Sequence, residues 1–162
     1  MASGGKKELE KFMETQIINW LTKISNELPK YLEEFIYSEY YDKYKPTEWY
    51  ERQYRIIDAI MVSKIVKIGN AYSISICLDP SKASYYPSIW YNTRNGSWNY
   101  IKGDSSEDVF NLMANGIHGA IENGQTDGRF WESFVESVNH GGIHDIFEDF
   151  KKHLKGTGLN VI

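Results

Sequence analysis

The sequence predicts an α+β domain: a small antiparallel β-sheet packed by a long kinked N-terminal helix and an amphipathic C-terminal helix. Three observations carry that prediction. Apolar residues recur at three- and four-residue steps from about Lys7 to Tyr44. Two apolar runs meet at Gly69-Asn70, a two-residue turn of the kind that closes hairpins. A last apolar stripe runs from Ile143 to Leu154 with lysines at its end. At 162 residues the chain is the size of one domain. Residues 7–162 are read as that domain and residues 1–6 as a disordered arm.

The first helix is defined by Phe12, Ile17, Trp20, Leu21, Ile24, Leu28, Leu32, Phe35 and Ile36, with Glu10, Lys23, Glu27, Lys30 and Glu34 between them. Pro29 removes one backbone hydrogen bond and crowds the Ser25 carbonyl, so a kink or a break is expected there. The stripe continues on both sides of it, which favours a kink. Lys45-Pro46 is expected to stop the helix, and Thr47 to cap a short second one from Glu48 to about Ala59.

Two strands should follow. Ile60 to Ile68 would put Val62, Val66 and Ile68 on one face, with Lys64 breaking the pattern. Ala71 to Leu78 alternates cleanly, with Tyr72, Ile74, Ile76 and Leu78 together. Residues 85–101 carry a second turn signal, Asn95-Gly96, and form either an aromatic hairpin or an ordered projecting loop. Asp104-Ser105-Ser106 with Asp108 resembles a capping box that opens a helix to about Ala114. A short helix is expected from Arg129 to Val138 and a final one from Ile143 to Lys155, with Ile143, Ile146, Phe147, Phe150 and Leu154 facing the core and Gly156 as the stop. The expected core is Ile17, Leu21, Ile24, Leu28, Leu32, Ile74, Ile76, Leu78, Phe147, Phe150 and Leu154.

Composition narrows the function. Net charge is −4, and the lysine pairs Lys6-Lys7 and Lys151-Lys152 stand apart, which disfavours a dedicated nucleic-acid binder. The single cysteine, Cys77, rules out an internal disulfide and sits in a strand-like run, where a buried or sheet-facing thiol is expected rather than a nucleophile. No apolar run is long enough to span a bilayer, and residues 1–7 lack the apolar core of a signal peptide. The expectation is a protein that is cytosolic where it is made.

Chemistry is sparsely signalled. His140-Gly141-Gly142-Ile143-His144-Asp145, with His118 and Glu122 upstream, offers imidazole and carboxylate donors for a metal. Two ligands four apart face one way only on a continuous helix, and Gly141-Gly142 interrupts it. The adjacent pairs Glu33-Glu34, Glu107-Asp108 and Glu148-Asp149 diverge on a helix and read as solvated faces. No nucleophile elbow and no phosphate loop is present. No catalytic residue, metal or cofactor is expected.

The aromatic residues are the stronger signal. Residues 40–54 hold five tyrosines and a tryptophan, and Trp90, Tyr91, Trp98 and Tyr100 flank the second turn. Tyr and Trp supply large contact area with little rotamer entropy to lose, which suits surfaces that meet a partner. Packing inside the monomer is the alternative, and for Tyr50 and Tyr54 the favoured one.

A long first helix, a join built on Tyr44, Pro46, Trp49, Tyr50 and Arg52, a hairpin, a loop and an amphipathic last helix together resemble the tail-completion and neck (head–tail joining) proteins of phages. Members commonly carry a proline, then Thr-Gly and an Arg-rich segment. Here Pro46-Thr47 is present and Glu48-Trp49 replaces the glycine. The resemblance implies a virion protein that acts by assembly, with copies of itself in a ring, a portal-side connector and the tail tube as partners. It implies no sequence-specific nucleic acid and no membrane. The interface it suggests comprises Tyr44, Pro46, Trp49, Tyr50, Arg52, Trp90, Tyr91, Trp98 and Tyr100. Two other classes remain open: a small metal-dependent hydrolase or nuclease using His118, His140, His144 and Asp145, and a phage-encoded inhibitor of a host protein.

Overall fold

A computed structural model describes residues 3–42, 56–79, 81–82, 89–92, 97–100 and 129–161. Helix α1 runs Ser3–Phe35 and continues as a π-helical segment, Ile36–Tyr41. A 3₁₀ turn, Ile57–Ala59, leads into strands β1 (Ile60–Val62), β2 (Val66–Ile68), β3 (Ala71–Ser73), β4 (Ile76–Leu78), β5 (Ile89–Asn92) and β6 (Ser97–Tyr100). Helices α2 (Phe130–Val138) and α3 (Ile146–Gly156) follow. The mixed α+β class is the one the sequence predicts. The chain divides into two compact units: Met1–Glu34, Met61–Cys77 and Glu132–Ile162 in the first, Phe35–Ile60 and Leu78–Trp131 in the second.

In the first unit, α1 forms because its apolar stripe holds helical spacing for many turns. Leu21, Ile24, Leu28 and Leu32 are buried, as expected, and Ile17 is half-buried. Pro29 lies inside α1 without breaking it. The buried residues on either side favour the helix more strongly than the one lost backbone bond opposes it. The helix begins at Ser3, four residues before the expected start.

The hairpin is split into four short strands, and the split has a single cause. Ala59 O accepts from Asp79 N at 2.8 Å and Ser75 O from Ser63 N at 2.8 Å, which sets Ala59 opposite Asp79 and Ser63 opposite Ser75. Beyond that point the register is Val66 opposite Ser73, Lys67 opposite Tyr72 and Ile68 opposite Ala71. Lys64 and Ile65 therefore face the lone Ile74, which is a β-bulge. Ser63 Oγ spans the defect, accepting from Ser75 N at 2.9 Å and donating to Lys64 O at 3.0 Å.

An extra residue turns every later side chain to the other face. The expected face of Val62, Val66 and Ile68 is thus corrected. Val62 stays half-buried, whereas Val66 and Ile68 are exposed and Lys67 lies opposite Tyr72. The Glu14 carboxylate on α1 accepts from Lys67 Nζ at 2.6 Å and from the Tyr72 hydroxyl. Those two donors hold Glu14 below the ordinary carboxylate range. Gly69 closes the turn at φ +61°, a left-handed conformation that glycine adopts without a Cβ penalty.

The last helix departs from the expected span at both ends. It starts at Ile146, because Asp145 caps it by accepting from Phe147 N and Glu148 N, each at 2.9 Å. Ile143 is left in the preceding loop. Phe147, expected in the core, sits in the first turn and is 56% exposed, with the His140 ring edge-on at 6.4 Å. Phe150 is half-buried against Trp20 at 4.6 Å, and Leu154 is buried. Gly158 at φ +87° supplies the left-handed stop expected of Gly156. Helix α2 falls where expected and adds Phe134 and Ser137 to the buried set.

In the second unit, Ile36, Tyr40 and Tyr41 are buried on the π-helical segment. The Tyr40 and Tyr41 rings meet edge to face at 5.2 Å, and the Tyr41 hydroxyl accepts from Ile56 N at 3.4 Å. Helical structure ends at Tyr41, three residues short of the expected Tyr44. Ile56 and Ala59 are also buried, as is Phe130 at the start of α2. Strands β5 and β6 pair antiparallel with Trp90 opposite Asn99 and Tyr91 opposite Trp98. Of the two alternatives for this stretch, the hairpin is the one that forms. Most of the expected second helix and the expected helix after Asp104 lie outside the described residues.

Truncating the α1 stripe tests this packing. Leu32 is fully buried, so Leu32→Ala should lower urea-measured stability by about 2–5 kcal/mol. Ile68→Ala, on the exposed face, should change it by no more than about 0.5 kcal/mol.

Candidate interaction site

The first unit brings α1, the loop of residues 139–145 and the start of α3 around an open cleft of about 260 Å³. Each wall is set by a specific bond. Trp20 Nε1 and Lys23 Nζ, three residues apart on α1, donate to the two oxygens of Asp149 at 2.9 and 2.7 Å. Burial pushes the Asp149 carboxyl up, and these donors outweigh it and hold the group below its usual range. Some two turns further along α1, the Tyr31 ring stacks on His144 at 3.9 Å with planes 10° apart. Tyr31 donates its hydroxyl proton to Glu27 at 3.0 Å, and burial together with that bond pushes the phenol up to about 12. His144 Nε2 lies 3.1 Å from a Glu34 oxygen.

The loop is tight enough to demand glycine. Gly142 N donates to Asn139 O at 2.9 Å, and His144 N to Ser137 O at 2.8 Å. A Cβ on Gly142 would fall well under 3.0 Å from the carbonyl oxygens of Glu136 and Ser137. Gly141 adopts φ +83° and donates its N–H to Asp145 at 2.6 Å. Asp145 also meets His140 Nδ1 at 3.0 Å, so one carboxylate joins loop, cap and imidazole. The amides of Gly141, Glu148 and Phe147 and the His140 ring draw its pKa down to about 2, against the cost of burial.

This geometry separates the residues considered for a metal. His140 pairs with Asp145, whereas His144 is turned to Tyr31 and Glu34. Among the described residues no group of three or more His, Cys, Asp or Glu could hold an ion. His118 and Glu122 lie outside the described residues. Cys77 is a free, exposed thiol on β4.

Of the expected interface, Tyr44, Pro46, Trp49, Tyr50 and Arg52 lie outside the described residues. Trp90 and Tyr91 fall on β5, and Trp98 and Tyr100 on β6. Sequence reasoning missed a different set of surface residues. Ile143 is 79% exposed, Ile68 67% and Leu9 54%, beside Phe147. The signal for Ile143 was its place after Gly141-Gly142, outside any capped helix. The signal for Ile68 was Lys64, whose interruption of the alternation marks the bulge.

The arrangement defines an α+β protein whose first unit hangs on one long helix and exposes several large apolar side chains. The chain belongs to the YomN family, whose model matches residues 6–156. The family carries the name of a Bacillus phage-derived protein, and the chain is in that sense phage-associated. No curated protein and no solved structure matches the chain. No helix among the described residues is long and apolar enough to cross a membrane.

Two measurements test the loop. Gly142→Ala should lower the melting temperature by more than 5 °C, because backbone and not a side-chain end must move. Asp145 is lowered to about 2 from an unfolded value near 3.9. Its contribution is therefore complete above about pH 4 and is lost as pH falls towards 2. Stability measured from pH 5 to pH 2 should fall less steeply in Asp145→Ala than in the natural chain.

Proposed function

We propose that this chain is a structural component of the phage particle, in the neck or tail, that works by subunit–subunit assembly rather than catalysis. Membership of a phage-associated family supports the setting. The observation that carries the assembly reading is the exposure of Leu9, Ile68, Ile143 and Phe147 within one small unit. Singly exposed apolar side chains are ordinary on any protein, and it is where they gather into one patch that they mark a surface that meets another protein. The order of elements, from long helix through hairpin to amphipathic last helix, resembles that of head–tail joining and tail-completion proteins.

On this reading the partners are further copies of the chain in a ring, a portal-side connector and the tail tube. No cofactor takes part, and neither sequence-specific nucleic acid nor a membrane is a partner. The aromatic β5–β6 hairpin and the join at residues 44–52 provide further contacts, with Trp90, Tyr91, Trp98 and Tyr100 on the first and Tyr44, Pro46, Trp49, Tyr50 and Arg52 on the second.

Mass spectrometry of purified particles tests the reading directly. Peptides of this chain should be found at a fixed ratio to portal protein, and particles made without it should have heads and tails that fail to join. Its absence from particles that otherwise depend on it would overturn the proposal and favour an inhibitor of a host protein.

A further inference from the structure

We propose that Ile36–Tyr41 is a register switch, wound as a π-helix while Tyr41 is held against Ile56 and rewound to α when Tyr41 is released. Every part of the device lies in the second unit.

The winding is not dictated locally. Phe35 before the segment and Asp42 after it both have α-helical backbone angles, so the chain enters and leaves it as an ordinary right-handed helix. The segment contains neither glycine nor proline, and nothing in it opposes α. π turns are rare, and they occur mostly as single turns set inside α-helices. Here the Asp42 N–H reaches back to Tyr37 O at 2.8 Å, where an α-helix would take it one residue less far, to Ser38 O. A contact from outside the segment selects the wider turn.

Burial identifies that contact. Ile36, Tyr40 and Tyr41 are buried, while Tyr37 and Ser38 are exposed. At about 100° per residue an α-helix would set Tyr41 about 140° from Ile36, off the buried face. The wider turn brings both consecutive tyrosines onto that face. There the Tyr41 hydroxyl accepts from Ile56 N at 3.4 Å, and the Tyr41 ring meets Tyr40 edge to face. Ile56 leads directly into the 3₁₀ turn and β1. Tyr41 is therefore a catch, through which the winding of the helix end and the anchoring of the strand entry change together.

The extra residue of the turn can be removed. Without Ser38, Tyr40 and Tyr41 would stand three and four residues from Ile36, and both would lie within about 60° of it in an α-helix. The same deletion elsewhere is costly. Without Asn26, Leu28 and Leu32 would turn about 100° away from Leu21 and Ile24.

The test uses the full chain, by NMR and thermal melting. In the natural chain the Asp42 amide should show a cross-peak to the Tyr37 α-proton. The Asp42 and Ile56 amides should share one protection factor, lower than that of Ile24. In Tyr41→Ala the cross-peak should move to the Ser38 α-proton and Ile56 should exchange about tenfold faster or more, with Ile24 and Leu28 unchanged. Deletion of Ser38 keeps both rings, and should give an α-wound segment that melts within about 2 °C of the natural chain. Deletion of the equally exposed Asn26 should lower melting by more than about 5 °C. A Tyr41→Ala chain that keeps the Tyr37 cross-peak, or loses both cross-peaks and frays, would overturn the switch. So would Asp42 and Ile56 amides that exchange only with Ile24, or a Ser38 deletion as costly as that of Asn26.

Discussion

The first unit depends on the continuity of α1 through Pro29. The helix bonds to the distal hairpin, to α3 and to the loop that precedes α3. Glu14 receives the distal hairpin through Lys67 and Tyr72, Trp20 and Lys23 receive α3 through Asp149, and Tyr31 and Glu34 receive the loop through His144. A break at Pro29 would separate the last of these attachments from the first two. The helix holds because Leu28 before the proline and Leu32 beyond it are both buried, and their burial outweighs one missing backbone bond.

The attachments share a chemical form. Each uses a carboxylate as the acceptor of two or more donors. Glu14 joins helix to hairpin, Asp149 joins helix to helix, and Asp145 ties the glycine loop to the helix it caps. Exposed ion pairs contribute little to stability. What these carboxylates supply is position: they orient elements whose apolar packing alone would allow several arrangements. The loop that bears Ile143 is held in this way, and so its exposed side chain is presented by a rigid support rather than a loose one.

Much of this was legible in the sequence, and the misses have physical reasons. Period 3.6 in residues 7–36 and the Gly69-Asn70 turn are local signals that tertiary structure had no cause to override. The long helix and the hairpin follow from them. The bulge was less legible, because alternation fixes faces only while the count of residues on the two strands stays equal. One extra residue at Lys64 and Ile65 then sends Val66 and Ile68 outward. Phe147 lies at the angle of the core stripe and still escapes burial, since a stripe says which way a residue points and not whether anything is there to cover it. The pairing of Trp20 and Lys23 with Asp149 spans more than a hundred residues, and no local pattern in the sequence marks such a contact.

The bulge has one more consequence, for the behaviour of the chain in solution. Soluble proteins commonly keep a charged side chain on the open face of a β-ribbon, where it discourages other ribbons from stacking. Turning Lys67 towards Glu14 removes that gatekeeper and leaves Val66, Ile68, Ala71 and Ser73 facing outward. The distal hairpin thereby gives up protection against indiscriminate association in exchange for its bond to α1. That face is the place where crowding would first be felt, and where an added charge would most improve solubility.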